Sequence, residues 1–174
     1  EYLKSNLNIK INVIAISNSR KMLFDSRGIN LKNWKNLLNE GIIANPLDFL
    51  RRTKKINLRN SIFVDNTASH EISRFYSKYL KKSIAVVTCN KIACADDYDN
   101  YKNLKFLSKN YNAPFLFETN VGASLPIIDT LNNLVASGDK ISSIQAVLSG
   151  SLNYIFNNFK STDTFHEIVD DAKN

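Results

Sequence analysis

Three runs of small polar and cationic residues each close a stretch of apolar, β-branched sequence. Asn18-Ser19-Arg20 follows INVIAIS at residues 11–17, Asp65-Asn66-Thr67-Ala68-Ser69 closes SIFVDNT, and Thr88-Cys89-Asn90-Lys91 closes SIAVVTCN. Open α/β sheets carry their ligand contacts at the carboxyl ends of the strands, so parallel neighbours would bring all three runs to one rim. Lys91 is the cation of most interest there. A lysine beside Asn90 at the end of a buried strand can hold a substrate carboxylate. With its pKa lowered by burial, it can also pass a proton to and from a hydroxyl undergoing oxidation. An ordinary strand-end lysine is the bland alternative.

The first run speaks to a cofactor. A dinucleotide site places a carboxylate at the end of its second strand, where it accepts from the ribose hydroxyls. Here Asn18 or Ser19 holds that position, followed by Arg20 and Lys21. Losing the carboxylate removes repulsion of a 2′-phosphate, and Arg20 can make a paired, charge-assisted contact to it. NADP is therefore expected over NAD, although a solvated turn arginine would look the same. The glycine turn G-x-G-x-x-G that cradles pyrophosphate is not in the chain and would have to precede it.

Two further loops have chemical potential. Glu118-Thr119-Asn120-Val121-Gly122-Ala123-Ser124-Leu125-Pro126 joins a strand to a proline-started helix, and its glycine lets carbonyls turn toward a cation or a substrate ammonium. Ser149-Gly150-Ser151-Leu152-Asn153-Tyr154 offers hydroxyls and backbone donors to a carboxylate near a helix start. His70 and His166 lack metal-ligand spacing. Cys89 and Cys94 lack the C-x-x-C spacing of redox or zinc pairs and read as ordinary thiols.

The elements that must position these groups alternate. Strand patterns over 11–17, 61–67, 83–90 and 114–118 are separated by helical patterns over 30–39, 46–55, 69–80 and 98–109, which is the signature of βαβ units and a parallel sheet. Helices are also expected over 126–136 and 152–159, with a strand-like stretch at 142–148. EYLKSNL reads as the end of a helix begun earlier, and the chain closes in or just after another helix at Asn174. The fold class expected is α/β: a truncated Rossmann-like sheet at residues 1–118, followed at 119–174 by the beginning of an α+β catalytic and dimerisation domain.

At 174 residues and 44% hydrophobic, the chain can bury one sizeable core and belongs with globular proteins. No uninterrupted apolar run reaches about 18 residues and no basic-then-apolar leader opens the chain, which leaves the cytoplasm as the default. The formal charge of +7 is lopsided: residues 1–60 carry twelve Lys or Arg against four Asp or Glu, and the remainder eleven against twelve. Arg51, Arg52, Lys54, Lys55 and Arg59 end an expected helix, where cations suit the carbonyl end of the dipole, so a solvated surface accounts for the excess. A phosphorylated ligand is the second reading. Nucleic acid is not expected, because no zinc-finger spacing or RNP-like signature accompanies the charge.

Taken together, VIAISNS, GINLKNW, VDNTAS, VVTCNK, FETNVGASLPIIDTLNNLVASGDKI and LSGSLNYIFN resemble homoserine dehydrogenase, most closely the dehydrogenase half of bifunctional aspartokinase/homoserine dehydrogenases. The resemblance implies NAD(P)H-linked interconversion of L-aspartate 4-semialdehyde and L-homoserine, on the route to threonine and methionine. It makes Lys91 the lysine of the family's T-P-N-K motif, acting in substrate binding and proton transfer, with Cys89 replacing the proline. It places Thr67, Ala68, Ser69 and Asn90 on the cofactor side, and Asn18, Ser19, Arg20 and Lys21 near the adenosine ribose. Glu118, Val121 and Ala123 match positions that coordinate a monovalent cation, sodium, usually through carbonyls, and Gly150 and Ser151 match the substrate-side pair. Homo-oligomerisation is implied as well. The family's glycine turn and its later catalytic Asp and Lys fall outside these residues, so the 174 residues alone are expected to be inactive. Another NADP-dependent α/β dehydrogenase and a non-catalytic Rossmann-like regulatory domain are the rival readings.

Overall fold

The computed structural model describes residues 2–123, 125–160, 162 and 164–173. Glu1, Ser124 of the expected glycine loop, and Asn174 at the expected final helix lie outside them. After α1 (Tyr2–Leu7), the chain forms a hairpin of β1 (Ala15–Ser17) and β2 (Lys21–Phe24). Then come α2 (Trp34–Asn39) and a short β3 (Ile42–Ile43), which pairs antiparallel with β2. α3 (Pro46–Ile56) opens with the Asn45 side chain accepting from Asp48 N–H and closes at Asn57, which takes the left-handed conformation that ends helices.

Next in the chain are β4 (Ile62–Asp65), α4 (His70–Ser73), α5 (Tyr76–Leu80), β5 (Ala85–Thr88), α6 (Ile92–Ala95), α7 (Tyr98–Asn110) and β6 (Phe115–Leu116). A turn of 3₁₀ helix at Glu118–Asn120 leads to α8 (Ile128–Ala136), α9 (Gly150–Asn158) and α10 (Phe165–Asp171). α9 and α10 are joined by a hydrogen bond from Tyr154 Oη to the Asp171 carboxylate and by the edge-to-face pair Phe159–Phe165.

β4, β5 and β6 form the expected parallel sheet, in the order β4-β5-β6. The expectation that residues 11–17 belong to it is corrected. β1 lies in a separate antiparallel sheet, β1-β2-β3. The three-residue link Asn18-Ser19-Arg20 closes β1 onto β2 as a hairpin, since a parallel pair of these two strands would need a crossover of about a dozen residues. Lys21–Phe24 is thus a strand that opens directly after the polar run. Residues 142–148 also form no paired strand, and the helix expected over 69–80 breaks into α4 and α5.

The core lies on one face of the parallel sheet. Side chains alternate along a strand, so Phe63 and Val86 turn toward α5 and α7, joined by Phe115 through its register with Val86. Tyr76, Tyr79, Leu80, Leu104 and Leu107 fill the space above them. Phe63 stacks on Tyr79 with ring centroids 4.1 Å apart. An aromatic ladder also crosses between the two sheets: Phe24 meets Phe49 at 4.9 Å, and Phe49 meets Phe63 at 6.4 Å.

Burial pushes the phenols of Tyr76 and Tyr79 well above the ordinary tyrosine value. A raised pKa means that their contribution to stability is whole below about pH 10 and is lost as the pH rises further. In an alkaline titration followed by phenolate absorbance, Tyr76 and Tyr79 should ionise only as the structure opens. Ionisation of all seven tyrosines before any loss of helix signal would contradict this packing.

Gly41, between α2 and β3, has no room for a side chain. A Cβ would sit 2.5 Å from the Met22 carbonyl oxygen and 2.9 Å from that of Leu38, both backbone atoms that cannot swing away. Gly41→Ala should therefore cost about 1–3 kcal/mol, read as a lower urea midpoint at unchanged slope. An unchanged midpoint would count against the approach of these two segments.

Candidate functional site

The register of the parallel sheet explains why polar groups gather where they do. Asp65 pairs with Thr88, one step beyond each strand's last inward apolar position, so the core-facing side of the sheet turns polar at its carboxyl end. Asp65 is 1% exposed, Thr88 3% and Asn90 2%. Buried polar groups need partners, and here they supply one another. Asp65 Oδ1 accepts from Thr67 N–H at 2.8 Å, and Oδ2 accepts from Tyr76 Oη at 2.5 Å and Asn90 Nδ2 at 3.1 Å. Thr88 Oγ1 lies 2.8 Å from Tyr76 Oη and accepts from Asn90 N–H at 2.8 Å.

Asn90 is saturated. Its Nδ2 also donates to the Ser69 carbonyl at 3.0 Å, its Oδ1 accepts from Ile92 N–H at 3.1 Å, and its own carbonyl accepts from Asn120 Nδ2 at 3.2 Å. Its side chain therefore braces two turns from within. Ser69 caps α4 by accepting from Ile72 N–H, while Thr67 and Ala68 stay exposed on the rim. Lys91 stands at the N-cap position of α6, exposed, and its ammonium has no ion-pair or hydrogen-bond partner among the described residues. The rim thus brings together Thr67, Ala68, Ser69, Asn90 and Lys91.

A cavity of about 440 Å³ opens beside these strand ends, lined by Asn66, Thr88, Cys89, Lys105, Glu118 and Thr119 among others. Lys105 comes from the middle of α7, and no sequence signal set it apart from the other lysines of that helix. Tyr76 lies in the helical pattern over 69–80, and only the fold reveals that its hydroxyl reaches Asp65. Burial pushes the Cys94 thiol up, opposed by Asn120 and Lys105.

The Asn18–Lys21 run has a different setting, at the tip of the antiparallel hairpin. Asn18 Oδ1 accepts from the N–H groups of Arg20 (2.8 Å) and Lys21 (2.7 Å), which fixes the turn. Lys21 Nζ donates to the Gly41 carbonyl at 2.9 Å. Ser19 and Arg20 are left exposed, and no described residue bonds the Arg20 guanidinium. Among the described residues, no hydrogen bond or ion pair joins this tip to the rim.

In the downstream loop, both oxygens of the Glu118 carboxylate are engaged, accepting from Ile128 N–H at 2.9 Å and Asp129 N–H at 2.7 Å at the start of α8. Gly122 and Ala123 both have positive φ, 66° and 54°, which twists the Val121–Ala123 backbone. Among the described residues, no cluster of His, Cys, Asp or Glu has the makings of a metal centre. Gly150 and Ser151 stand exposed in the first turn of α9, capped by Ser149.

A family model for the homoserine dehydrogenase NAD-binding domain matches residues 2–118. The chain belongs to the homoserine dehydrogenase family. A second homoserine dehydrogenase model matches residues 126–174. The chain is 41% identical to bifunctional aspartokinase/homoserine dehydrogenase 2, chloroplastic, of Arabidopsis thaliana, over 99% of its own length and 19% of that protein's. It is 40% identical to the homoserine dehydrogenase of Schizosaccharomyces pombe, over 99% of itself and 48% of the relative. A hyperthermophilic archaeal homoserine dehydrogenase in complex with NADPH superposes with a TM-score of 0.71 at 28% identity, covering 93% of this chain and 51% of the other. The chain thus spans less than half the length of these two sequence relatives. The parallel-sheet half has the Rossmann-like fold of homoserine dehydrogenases. No helix among the described residues is long and apolar enough to cross a membrane.

Proposed function

We propose that this chain supplies the cofactor wall and part of the substrate wall of an NADP-dependent homoserine dehydrogenase interconverting L-aspartate 4-semialdehyde and L-homoserine. The observation that carries the reading is the rim itself. Thr67 and Ala68 are exposed beside an unpartnered Lys91, and Asn90 ties their two turns together. The archaeal relative binds NADPH, and the family model is that of a nicotinamide-binding domain.

The cofactor supplies a hydride to the aldehyde carbon in the reducing direction. Thr67, Ala68 and Ser69 form the edge against which its nicotinamide rests. Lys91 delivers a proton to the oxygen that becomes the hydroxyl, and withdraws it in reverse. Gly150 and Ser151 hold the substrate through backbone and hydroxyl donors at the start of α9. Arg20 fits the 2′-phosphate of NADP, because its guanidinium is committed to no described residue and no carboxylate stands in the hairpin turn.

For a monovalent cation such as sodium, the fit lies in carbonyls: both Glu118 carboxylate oxygens are engaged at α8, so the ligands are main-chain oxygens of Glu118, Val121 and Ala123. Residues 1–118 form part of the dinucleotide-binding domain and 119–174 part of the substrate and dimerisation domain of a cytoplasmic homo-oligomer serving threonine and methionine synthesis.

The full-length protein carrying these residues should consume NADPH in the presence of aspartate semialdehyde. Absence of turnover with both NADPH and NADH would refute the reading. Arg20→Ala should raise the KM for NADPH about tenfold, as befits loss of a charge-assisted hydrogen bond, and leave that for NADH unchanged. An equal change for both cofactors would remove Arg20 from the phosphate site.

A further inference from the structure

The buried network below the rim has a direction. Asn90 N–H donates to Thr88 Oγ1. Tyr76 Oη gives its one proton to Asp65 Oδ2 at 2.5 Å, so the Thr88 hydroxyl is the donor at its own end, with Tyr76 Oη at 2.8 Å and the Asp65 carbonyl at 3.3 Å as acceptors. The same carboxylate receives Asn90 Nδ2 and, on its other oxygen, the N–H of Thr67. One carboxylate therefore fixes the backbone where β4 enters the Thr67–Ser69 turn. Through two hydroxyls and one amide, it also fixes the backbone where β5 enters the Asn90–Lys91 turn.

None of Asp65, Tyr76 and Thr88 is open to a ligand: Tyr76 is 0% exposed and the other two are nearly as buried. A carboxylate in such a place costs desolvation, and an apolar core would be the simpler solution there. Satisfied polar networks instead hold one geometry in preference to near alternatives.

Resting on the function proposed above, we propose that Asp65, Tyr76 and Thr88 are positioning residues. They set Lys91 against the Thr67–Ser69 edge, so that proton donor and nicotinamide face the same substrate carbon. Ser69 O, held by Asn90 Nδ2, is the direct strut between the two turns. Loss of one hydroxyl leaves cofactor and substrate contacts in place and loosens the angle between them, which falls on kcat and spares KM.

The test uses the full-length protein with NADPH and aspartate semialdehyde, comparing Tyr76→Phe, Thr88→Val and Thr88→Ser. Rates are normalised to the folded fraction, and exchange of the Thr67, Asn90 and Ile92 amides is measured in the same samples. The expected result is a fall in kcat of about tenfold in Tyr76→Phe and Thr88→Val, with both KM values within about twofold. Thr88→Ser, which keeps the hydroxyl, should recover most of the rate, and amide exchange should quicken in the two impaired variants.

Wild-type kcat per folded molecule in both hydroxyl-deleted variants would overturn the proposal, as would equal loss in Thr88→Ser and Thr88→Val. Should one variant not fold, the other carries the test. Should the wild-type protein lack dehydrogenase turnover, the proposed function fails by itself. Amide exchange then decides the positioning role, and unchanged exchange at Thr67, Asn90 and Ile92 overturns it.

Discussion

Lys91→Met in the full-length protein is expected to lower kcat by roughly 100- to 10,000-fold, the range of a positioned proton-transfer group. The substitution keeps the length of the side chain and removes both its charge and its proton. Lys91 is exposed and its ammonium bonds no described residue, so the variant should fold like the wild type. Lys91→Arg separates two roles. A guanidinium can still hold a carboxylate but does not release its proton at neutral pH, so KM should return toward wild type while kcat stays low. Full activity in Lys91→Met would show that the rim lysine is an ordinary surface group. Recovery of kcat in Lys91→Arg would assign it to binding alone.

The second large effect is on stability. Asp65→Ala deprives three donors of their acceptor: Tyr76 Oη, Asn90 Nδ2 and the Thr67 N–H. Asn90 retains the Ser69 carbonyl, and Tyr76 can turn toward Thr88, so the cost is smaller than three orphaned donors would suggest. About 3 kcal/mol is expected, one to two unsatisfied buried groups, read from the urea midpoint. Asp65→Asn keeps the shape but points an amide donor at one of the same donors, and it should recover only part of the loss. A cost below about 1 kcal/mol for Asp65→Ala would mean that water replaces the carboxylate without penalty.

These two residues also show how far the sequence could be read. The place of Lys91 on the rim was legible because it ends an apolar strand pattern, where α/β sheets keep their ligand contacts. The parallel strands and α3, with its Asn45 cap and Pro46, were legible through period and capping chemistry. Asp65 was visible as a polar strand end, but its partnership with Tyr76 was not. That contact joins residues 11 apart across a helix break, and nothing local to α5 separates a tyrosine that only packs from one whose hydroxyl is needed.

Asn90 stands in the third polar run, and its side chain turns inward as every second residue after Val86 does, to Asp65 and the Ser69 carbonyl. The hairpin was not legible, because the polar run Asn18-Ser19-Arg20 that ends an apolar stretch suits a strand end at a ligand rim and a tight turn alike, and only the pairing of β1 with β2 tells them apart. The role of the Glu118 carboxylate at the start of α8 was not legible either, because its two partners lie 10 and 11 residues on, beyond the glycine loop.

The most direct test of the central claim is a crystal structure of the full-length protein with NADP and L-homoserine. The nicotinamide should lie against Thr67, Ala68 and Ser69, with Lys91 Nζ within hydrogen-bond reach of the substrate hydroxyl and the 2′-phosphate at Arg20. A cofactor lodged instead in the cleft of about 680 Å³ lined by Phe24, Arg51, Arg52 and Lys55, with Lys91 far from any ligand, would contradict the account.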